Sequence, residues 1–426
     1  MTMYVTAAEL ARTGRLPEDM DPPKQLILSS PATVDINSPG ARGFGVKRAG
    51  LTIPDAVMLL VSPRCCGRNT TVLCGELYRG RTYYLTIDET DMITGRYLER
   101  ISEACAEICD VSPVRPSAVL ICSTCTDALL GTDMDRICRQ SEELCGVRCV
   151  PLYMNALARD GRLPPVAQAR VTAYSLLGRS TRRRDECGII GAFLPLYDTS
   201  EIYPILHGAG IRRIHELARC RTMDEYDAMS ASNFHILIDA EARAAAADMY
   251  ERLGIPYVEL VRTYDTERVH RQYALLGDAI GADLDDALWY DRAAAAVEEI
   301  RSICSGMRFA VGAVSGSSFD MALSLITAGM AVTEIYASGI GADMPYIRRI
   351  AALSPDTRIY ITTSPAMHRY ASRGDVDVAV GRDAGWYHPE VPCVRPGDDH
   401  EPFGYDGILR VVDKIAKVRG QGTTIL

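Results

Sequence analysis

The sequence has no long hydrophobic stretch and no excess of positive charge. None of its apolar runs approaches the roughly 20 residues that a membrane-spanning helix needs, so we expect no membrane association. The N-terminus lacks the basic and apolar regions of a secretory signal, which predicts a cytoplasmic protein. The net charge of −9 argues against nucleic acid as a partner.

Complete nucleotide-binding motifs are also missing. The glycine pairs Gly188-x-x-Gly191 and Gly312-x-x-x-Gly316 complete neither the dinucleotide-binding fingerprint nor a P-loop. Tight turns between strands and helices explain both pairs. We therefore expect this chain to bind no NAD, FAD or ATP of its own, so that any reducing power comes from another protein.

Short β-rich runs alternate with amphipathic helical patterns along the 426 residues. Strands are predicted at 56–61, 82–87, 117–122 and 148–152, and helices at 90–109, 126–145 and roughly 265–305. This alternation is typical of parallel, doubly wound α/β sheets. The pattern restarts twice, which predicts three Rossmann-like α/β domains of ordinary size at 1–180, 185–305 and 306–426.

Most of the 14 cysteines lie in the first of these domains. Several occupy the apolar faces of predicted helices, where a thiol packs as a small hydrophobic group. Others fall at strand ends or turns, where packing gives no reason for sulfur. The helix-face group comprises Cys105, Cys109, Cys138 and Cys145, and the strand-end group comprises Cys65, Cys66, Cys74, Cys122 and Cys125.

The strand-end cysteines follow two apolar runs. Ser62-Pro-Arg-Cys65-Cys66-Gly67 follows the run at 56–61, and Cys122-Ser-Thr-Cys125 follows the run at 118–121. Because parallel sheets carry functional groups past the carboxyl ends of their strands, both motifs should leave the same sheet edge. In a reducing compartment such a group favours metal binding or catalysis over disulfides. Zinc is the alternative for Cys122-x-x-Cys125, but the first of the predicted domains contains no histidine.

Four segments carry a resemblance to a known family. They are residues 61–67, the acidic segment Glu89-Thr-Asp91-Met-Ile-Thr-Gly95, residues 123–133 (Ser-Thr-Cys-Thr-Asp-Ala-Leu-Leu-Gly-Thr-Asp), and His400-Glu-Pro-Phe-Gly404-Tyr-Asp-Gly407. In these segments the sequence resembles the nitrogenase component 1 family, which includes nitrogenase subunits, cofactor-assembly proteins, protochlorophyllide reductase subunits and nickel-sirohydrochlorin reductive cyclase. The resemblance spans nearly the whole chain and implies three domains packed around a central cleft.

The sequence departs from the family pattern at two places. Where the family usually has its first cluster cysteine, this chain has Asn37-Ser-Pro39, so Asn37, Asp35, a compensating cysteine or nothing takes that role. The region that matches the cysteine of the large nitrogenase cofactor, residues 234–239, contains no cysteine, which argues against nitrogen fixation. The doubled Cys65-Cys66 is similar to the turn of the reductive cyclase.

The resemblance implies an iron–sulfur cluster, 4Fe-4S or larger, bound by soft thiolates. Cys66 and Cys125 are the first candidate ligands, followed by Cys65 and Cys122. Cys74 and Asn37 are further cofactor-binding candidates. The cluster would be shared across a homodimer, or a heterodimer or heterotetramer with a homologous subunit. A second metallocofactor or a tetrapyrrole is left open.

The resemblance further implies a catalytic subunit of a nitrogenase-like oxidoreductase. A separate ATP-dependent iron–sulfur reductase would deliver low-potential electrons, which the cluster would relay to a small molecule or tetrapyrrole in the cleft. We expect His235, Arg382 and His400 to be catalytic, with Tyr197 and His388 also at strand ends facing the cleft. A histidine suits proton donation because its pKa lies near working pH. Surface or capping roles are the alternative for each histidine.

Two other functions compete with the reductase. One is a scaffold on which an iron–sulfur cofactor is assembled before transfer to a recipient. The other is a metal-free binding protein that keeps only the three-domain fold. The local density of cysteine argues against the metal-free function.

Overall fold

The structure, a computed structural model, describes residues 2–21, 28, 50–64, 80–154, 163–314, 316–396 and 400–420. The strands, in chain order, are β1 (Val5–Thr6), β2 (Val57–Ser62), β3 (Thr82–Thr86), β4 (Ala118–Ser123), β5 (Arg148–Tyr153), β6 (Arg183–Ile190), β7 (Arg213–Glu216), β8 (Ser232–Leu237), β9 (Tyr257–Glu259), β10 (Arg308–Val311), β11 (Ala331–Ala337), β12 (Arg358–Ile361), β13 (Val378–Val380) and β14 (Cys393–Val394).

The α-helices in the same part of the chain are α1 (Ala7–Thr13), α2 (Glu89–Thr94), α3 (Tyr97–Val111), α4 (Cys125–Leu130), α5 (Met134–Cys145), α6 (Pro165–Ser175), α7 (Ile202–Gly208), α8 (Met223–Ala228), α9 (Arg243–Leu253), α10 (Thr266–Ile280), α11 (Ala287–Ile303), α12 (Ser318–Thr327), α13 (Met344–Leu353), α14 (Arg382–Tyr387) and α15 (Gly404–Gly420). Short 3₁₀ helices lie at Leu217–Arg219, Met229–Ala231, Ala240–Ala242 and Pro365–Arg369.

Contacts within the chain divide it into two compact units. The first comprises Met1–Ser38, Leu196–Ala209 and Arg262–Leu426, and the second comprises Pro39–Pro195 and Gly210–Val261. The three-domain boundaries expected from the sequence stay a prediction.

The second unit contains two four-stranded parallel sheets, in the orders β3-β2-β4-β5 and β7-β6-β8-β9. Both faces of β2 are buried: Met58 and Leu60 belong to one hydrophobic cluster, and Leu59 and Val61 belong to another. A strand covered on both faces needs a continuous apolar run, which is the pattern of residues 56–61.

The first unit contains a six-stranded sheet in the order β1-β12-β11-β10-β13-β14. All of its neighbours are parallel except β1, which runs antiparallel to β12. Phe309 and Val311 of β10 pack in one cluster, whereas Ala310 packs in another on the other face. The parallel α/β class predicted from the sequence is therefore confirmed.

Glycines divide three of the predicted helices. The segment predicted as 90–109 forms α2 and α3, which are separated at Gly95, where φ is 73°. The segments at 126–145 and 265–305 are likewise interrupted at Gly131 and Gly281, each with a φ of 67°. A positive φ is left-handed backbone that ends a helix, and glycine adopts it without a side-chain clash.

Among the described helices, none is both long and apolar enough to cross a bilayer.

Candidate functional site

The candidate site lies at the carboxyl edge of the β3-β2-β4-β5 sheet. Leu60 of β2 stands opposite Cys122 of β4 in the parallel pairing, so the two strands end side by side at Ser62 and Ser123. The hydroxyl of Thr124, just past β4, donates to the carbonyl oxygen of Val61 at 3.3 Å. The loops after both strands therefore leave the same edge.

The candidate residues Asn37, Cys65, Cys66 and Cys74 lie outside the described residues. The structure follows the β2 loop to Arg64, one residue before Cys65. Their roles as cofactor or metal ligands stay predictions, as does the ligand role of Cys125.

Cys125 is the first residue of α4 and is half-buried. The preceding residue, Thr124, has extended backbone and its N–H donates to the Asp127 carboxylate at 3.2 Å. This bond fixes the turn that leads from β4 into the helix. The Cys125 thiol is thus held at the start of a helix, at the edge where the sheet ends.

The buried side chain of Asp127 stabilises this first turn of α4. It is only 4% exposed, and burial raises its pKa to about 6 despite the bond from the Thr124 backbone. Thr132 donates its hydroxyl to the other Asp127 oxygen at 3.4 Å, and Tyr97 meets the Thr132 hydroxyl at 2.7 Å. The network ties α4 to the start of α3.

Cys122 lies differently from Cys125. Its side chain is fully buried in the hydrophobic cluster that includes Leu152 and Ala169. The Cys122-x-x-Cys125 spacing therefore spans a core position and an edge position, which does not favour a zinc-chelating pair. The core-facing orientation weakens the case for Cys122 as a ligand, although that role stays a prediction.

Two other motif segments have clear local roles. Asp88 caps α2 by accepting the Asp91 N–H at 2.9 Å, and Asp91 accepts the Asp88 N–H at 3.2 Å. In the cysteine motif, Gly131 ends α4 and Asp133 caps α5 through the Arg136 N–H at 3.0 Å. Both segments shape short, well-capped helices at the site edge.

The helix-face cysteines pack together against the face of this sheet that is opposite to Cys122. Cys105, Cys138, Cys145 and Cys149 belong to one buried cluster, with Cys109 partly buried against it. The sulfurs of Cys145 and Cys149 are 3.8 Å apart. Burial raises the pKa of Cys138, and the pKa of Cys149 is raised by its contact with Cys105 and by burial. The core packing predicted for Cys105, Cys138 and Cys145 is confirmed.

His235 lies inside β8 rather than at a strand end. Its ring is fully buried over Gly188, where an added Cβ would come within 2.6 Å of the imidazole. Burial lowers its pKa to about 4, so the ring is neutral at pH 7. Such a histidine is shielded from substrate in this structure, and its catalytic role stays a prediction.

Arg382 and His400 lie in the first unit. Arg382 is exposed as the first residue of α14, directly after β13, as expected for a strand-end residue. His400 stacks on Tyr197 with ring centroids 4.8 Å apart, and the guanidinium of Arg410 lies 3.4 Å from the Tyr197 ring centroid. Their catalytic roles are untested predictions.

The glycine-rich end of the fourth motif has a structural explanation. The buried carboxylate of Glu201 accepts the N–H groups of Tyr405 and Asp406 at 2.7 and 2.9 Å, and the hydroxyl of Tyr273 at 2.8 Å. At Gly404, φ is 58° and an added Cβ would lie 1.8 Å from a Glu201 oxygen. The motif therefore brings the start of α15 against a buried carboxylate.

His388 was expected to face the cleft, but it is fully buried. Its Nε2 lies 2.9 Å from Glu334 Oε2, and its Nδ1 lies 3.3 Å from Glu390. Burial alone would lower the pKa of His388, but the Glu334 carboxylate raises it above its ordinary value. The structure thus places His388 in a buried ion pair with Glu334, which lies on β11, 54 residues earlier in the chain.

Exposed apolar side chains flank the carboxyl edge of the β3-β2-β4-β5 sheet, where Cys125 lies and which we call the cysteine edge. Ile93 of α2 is 85% exposed, and Leu129 and Leu130 of α4 are 75% and 47% exposed. Both helices directly follow strands that end at this edge. Grouped exposed apolar side chains of this kind mark a surface suited to contact with another protein.

The described residues supply only part of a ligand set for an iron–sulfur cluster. Within the described residues, no group of three or more Cys, His, Asp or Glu side chains is arranged to hold a metal ion. A thiolate at Cys125 has the softness that iron–sulfur clusters require. The other ligands would have to come from residues outside this part of the chain or from a partner chain.

Sequence reasoning overlooked Thr124 and Asp127 as positioning residues. The signal was present, since Thr124-Cys-Thr-Asp127 has the spacing of a helix capping box. The exposed Ile93 was also overlooked, because its exposure depends on how α2 packs.

The comparisons with known proteins agree on one family. A family model described as nitrogenase component 1 type oxidoreductase matches residues 42–419. Similar proteins include the nitrogenase iron-molybdenum cofactor biosynthesis proteins NifE of Sinorhizobium fredii (25% identity over 416 residues, 91% of this chain and 82% of the relative), Mesorhizobium japonicum (26% over 417 residues, 91% and 82%) and Rhodobacter capsulatus (24% over 409 residues, 89% and 85%).

Solved structures give the same fold. Nitrogenase Cp1 at pH 6.5 superposes with a TM-score of 0.68 at 15% identity, covering 88% of this chain and 90% of that chain. Nitrogenase Cp1 at pH 5 gives a TM-score of 0.64 at 13% identity, covering 92% and 89%. At such identities the likeness concerns the fold alone.

Proposed function

This chain belongs to the nitrogenase component 1 type oxidoreductase family, and from that membership we propose that it is a scaffold subunit on which an iron–sulfur metallocofactor is assembled. The observation that carries the proposal is its similarity, over about nine-tenths of its length, to relatives named for cofactor biosynthesis. The family fold supplies the architecture, and the cysteine edge supplies thiolate chemistry.

The reductase function predicted from the sequence is wrong in its main form. The relatives over most of the chain are named as iron-molybdenum cofactor biosynthesis proteins, which matches the scaffold alternative. The error has a physical cause, since thiolates hold an iron–sulfur cluster in the same way whether it relays electrons or is delivered elsewhere.

The site chemistry supports transient holding of a cluster. We propose Cys125 as one thiolate ligand, with Cys66, Cys65 and Cys74, which follow β2 in the sequence, as further candidates. A half-buried thiol at the start of a helix can bind an iron atom and still be reached by a recipient. The bond from Thr124 to Asp127 keeps that thiol in place during exchange.

We propose that a homologous chain, either a second copy or a sibling, docks on the cysteine edge. Ile93, Leu129 and Leu130 would supply apolar contact area beside Cys125. The partner would also complete the ligand set, which has no cysteine at Asn37. A cluster shared in this way makes assembly of the subunits a condition for holding the cofactor.

The other implied partners follow from family membership. An ATP-dependent iron–sulfur reductase is the proposed electron donor during assembly, in the cytoplasm. The proposal leaves open whether the cluster is 4Fe-4S or larger and whether a second metallocofactor is held as well.

Cofactor transfer tests the proposal. The chain is purified anaerobically, its iron and sulfide are quantified, and electron paramagnetic resonance records the cluster before and after incubation with a cofactor-free recipient. We expect iron to move to the recipient. Cys125→Ala should lose bound iron, whereas Cys105→Ala, a substitution in the buried thiol cluster, should keep it. A cluster that stays bound during turnover of a reducible substrate would overturn the scaffold function.

A further inference from the structure

Two thiols at the amino edge of the β3-β2-β4-β5 sheet lie in contact with each other. Cys145 ends α5, Cys149 is the second residue of β5, and their sulfurs are 3.8 Å apart. The turn between them is three residues long and begins at Gly146, where φ is 66°. Because the pair precedes β5 and Cys125 follows β4, the two lie at opposite edges of the sheet. The pair is therefore separate from the cysteine edge.

Both thiols of this pair face the same backbone carbonyl. The oxygen of Val147 accepts from Cys145 Sγ at 3.5 Å and from Cys149 Sγ at 3.4 Å. The two sulfurs are therefore held on one side of the turn, where each can reach the other. Groups held in this way react as if they were far more concentrated than the same groups free in solution.

The two thiols differ in their surroundings. Cys145 is 9% exposed, and its neighbours Leu144 and Gly146 are both exposed. Cys149 is 4% exposed, and its pKa is raised by its contact with Cys105 and by burial. Because the thiolate is the reactive form, Cys145 is the thiol of the pair that a small oxidant meets first, and Cys149 is the thiol that reacts second.

We propose that Cys145 and Cys149 form a site of reversible oxidation, at which hydrogen peroxide converts the two thiols to a disulfide. The sulfur of Cys145 attacks one peroxide oxygen, the O–O bond breaks, and a sulfenic acid and a water form. The sulfur of Cys149 then attacks the sulfenic sulfur, the S–S bond forms, and the hydroxyl leaves as a second water. In total the two thiols lose two electrons and two protons, and one peroxide is reduced to two waters. The proposal does not depend on the cofactor-assembly function.

The structure also indicates that this disulfide is easily reduced. It closes a loop of only five residues, so it stabilises the fold less than a bridge between distant parts of the chain. Its formation removes both S–H donors from the carbonyl of Val147. Reduction restores these hydrogen bonds. A dithiol reductant should therefore return the pair to its reduced form.

Peptide mapping of the full chain tests the proposal. The chain is reduced, treated with hydrogen peroxide at pH 7, alkylated with iodoacetamide and digested with trypsin, which cuts after Arg148, between the two thiols. We expect peptides 140–148 and 149–159 to be linked, with a mass two hydrogens below their sum. Dithiothreitol should separate them. Absence of this link, or a link from Cys149 to Cys105 in its place, would overturn the proposal.

Three serine substitutions assign the roles of the thiols. Cys145→Ser should prevent the link. Cys149→Ser should stop the reaction at a sulfenic acid on Cys145, which dimedone traps. Cys138→Ser changes another thiol of the same buried cluster and should leave the link intact. Equal loss of the link in Cys138→Ser and Cys145→Ser, or no dimedone adduct on Cys145 in Cys149→Ser, would show that this pair is not the site of oxidation.

Discussion

Removal of the negative charge at Glu334 should destabilise the first unit. This carboxylate is fully buried in β11 and accepts five hydrogen bonds from side chains. The donors are Tyr336 at 2.5 Å, Arg358 at 2.7 Å, His388 at 2.9 Å, Tyr370 at 3.1 Å and Tyr360 at 3.3 Å. Glu334→Gln keeps the shape of the side chain but leaves His388 and Arg358 without their shared counter-charge.

The size of the loss in stability follows from the lowered pKa of Glu334 and from the cost of breaking a buried ion pair. Burial alone would raise the pKa of Glu334, but the bonds from His388, Tyr336 and Arg358 lower it from 4.5 to about 2. A carboxyl shifted by that much is stabilised in its ionised form by about 3 kcal/mol in the folded state. Breaking a buried ion pair from one side costs about 3–5 kcal/mol in measured cases. We therefore expect Glu334→Gln to lower the free energy of unfolding by about 3 kcal/mol at pH 7.

Thermal unfolding of the full chain at pH 7 measures this loss. A cost of about 3 kcal/mol corresponds to a fall in Tm of roughly 6–12 °C for a cooperative unit of this size. Hydrogen exchange in β11 shows whether the first unit carries the change. The control is Glu390→Gln, which removes a carboxylate from the other side of His388 but is half-exposed and should cost at most about 1 kcal/mol.

The pH dependence of the free energy of unfolding tests the same ion pair. Because the folded pKa of Glu334 is depressed, its stabilisation is present above pH 4.5 and is lost as pH falls from 4.5 towards 2. The difference between the wild type and Glu334→Gln should therefore narrow over that range. A loss below about 1 kcal/mol, a loss equal to that of Glu390→Gln, or a difference that does not change with pH would refute the buried ion pair.

Three other outcomes follow from the site. Cys125→Ala should abolish the brown colour and bound iron of the anaerobically purified protein, whereas Cys105→Ala should keep both, measured by absorbance and iron content. Gly404→Ala should lower the free energy of unfolding by at least about 2 kcal/mol in calorimetry, because its Cβ would displace the Glu201 carboxylate from buried hydrogen bonds. Ile93→Asp should weaken subunit association at least about tenfold in analytical ultracentrifugation, without changing Tm.

Matched controls separate these effects from general damage. Gly281→Ala has a similar positive φ with nothing within 4 Å of the added Cβ, so it should cost only about 1 kcal/mol. Leu144→Asp introduces the same charge at an exposed position where α5 leads into the start of β5, at the opposite edge of the sheet, and should not affect association. Equal iron loss from Cys125→Ala and Cys105→Ala would mean that these thiols serve stability instead.

The sheets could be predicted from the sequence because their strands are buried on both faces. Continuous apolar runs such as residues 56–61 are too short to span a bilayer and are typical of strands that are buried on both faces. The predicted ends of the helices were less accurate than the predicted strands. Gly95 and Gly131 each lie within a sequence pattern of helical period, but the positive φ at each glycine ends the helix there. The glycine was visible in the sequence, but its backbone conformation was not.

The candidate site could be predicted only in part. The edge position of Cys125 followed from the order of strand and motif, which is local information. The burial of His388 depended on Glu334, 54 residues earlier in the chain, and no local pattern announces such a pair. The choice between reductase and scaffold lay beyond the motifs, because both functions use the same thiolates.

Delivery of cofactor to a recipient is the measurement closest to the central claim. The anaerobic chain, with its homologous partner, is loaded with iron and sulfide and mixed with a cofactor-free acceptor protein, and the iron on each protein is counted after separation. The scaffold function predicts that iron moves to the acceptor and that Cys125→Ala prevents both loading and delivery. Iron that remains on this chain after mixing with the acceptor would contradict it.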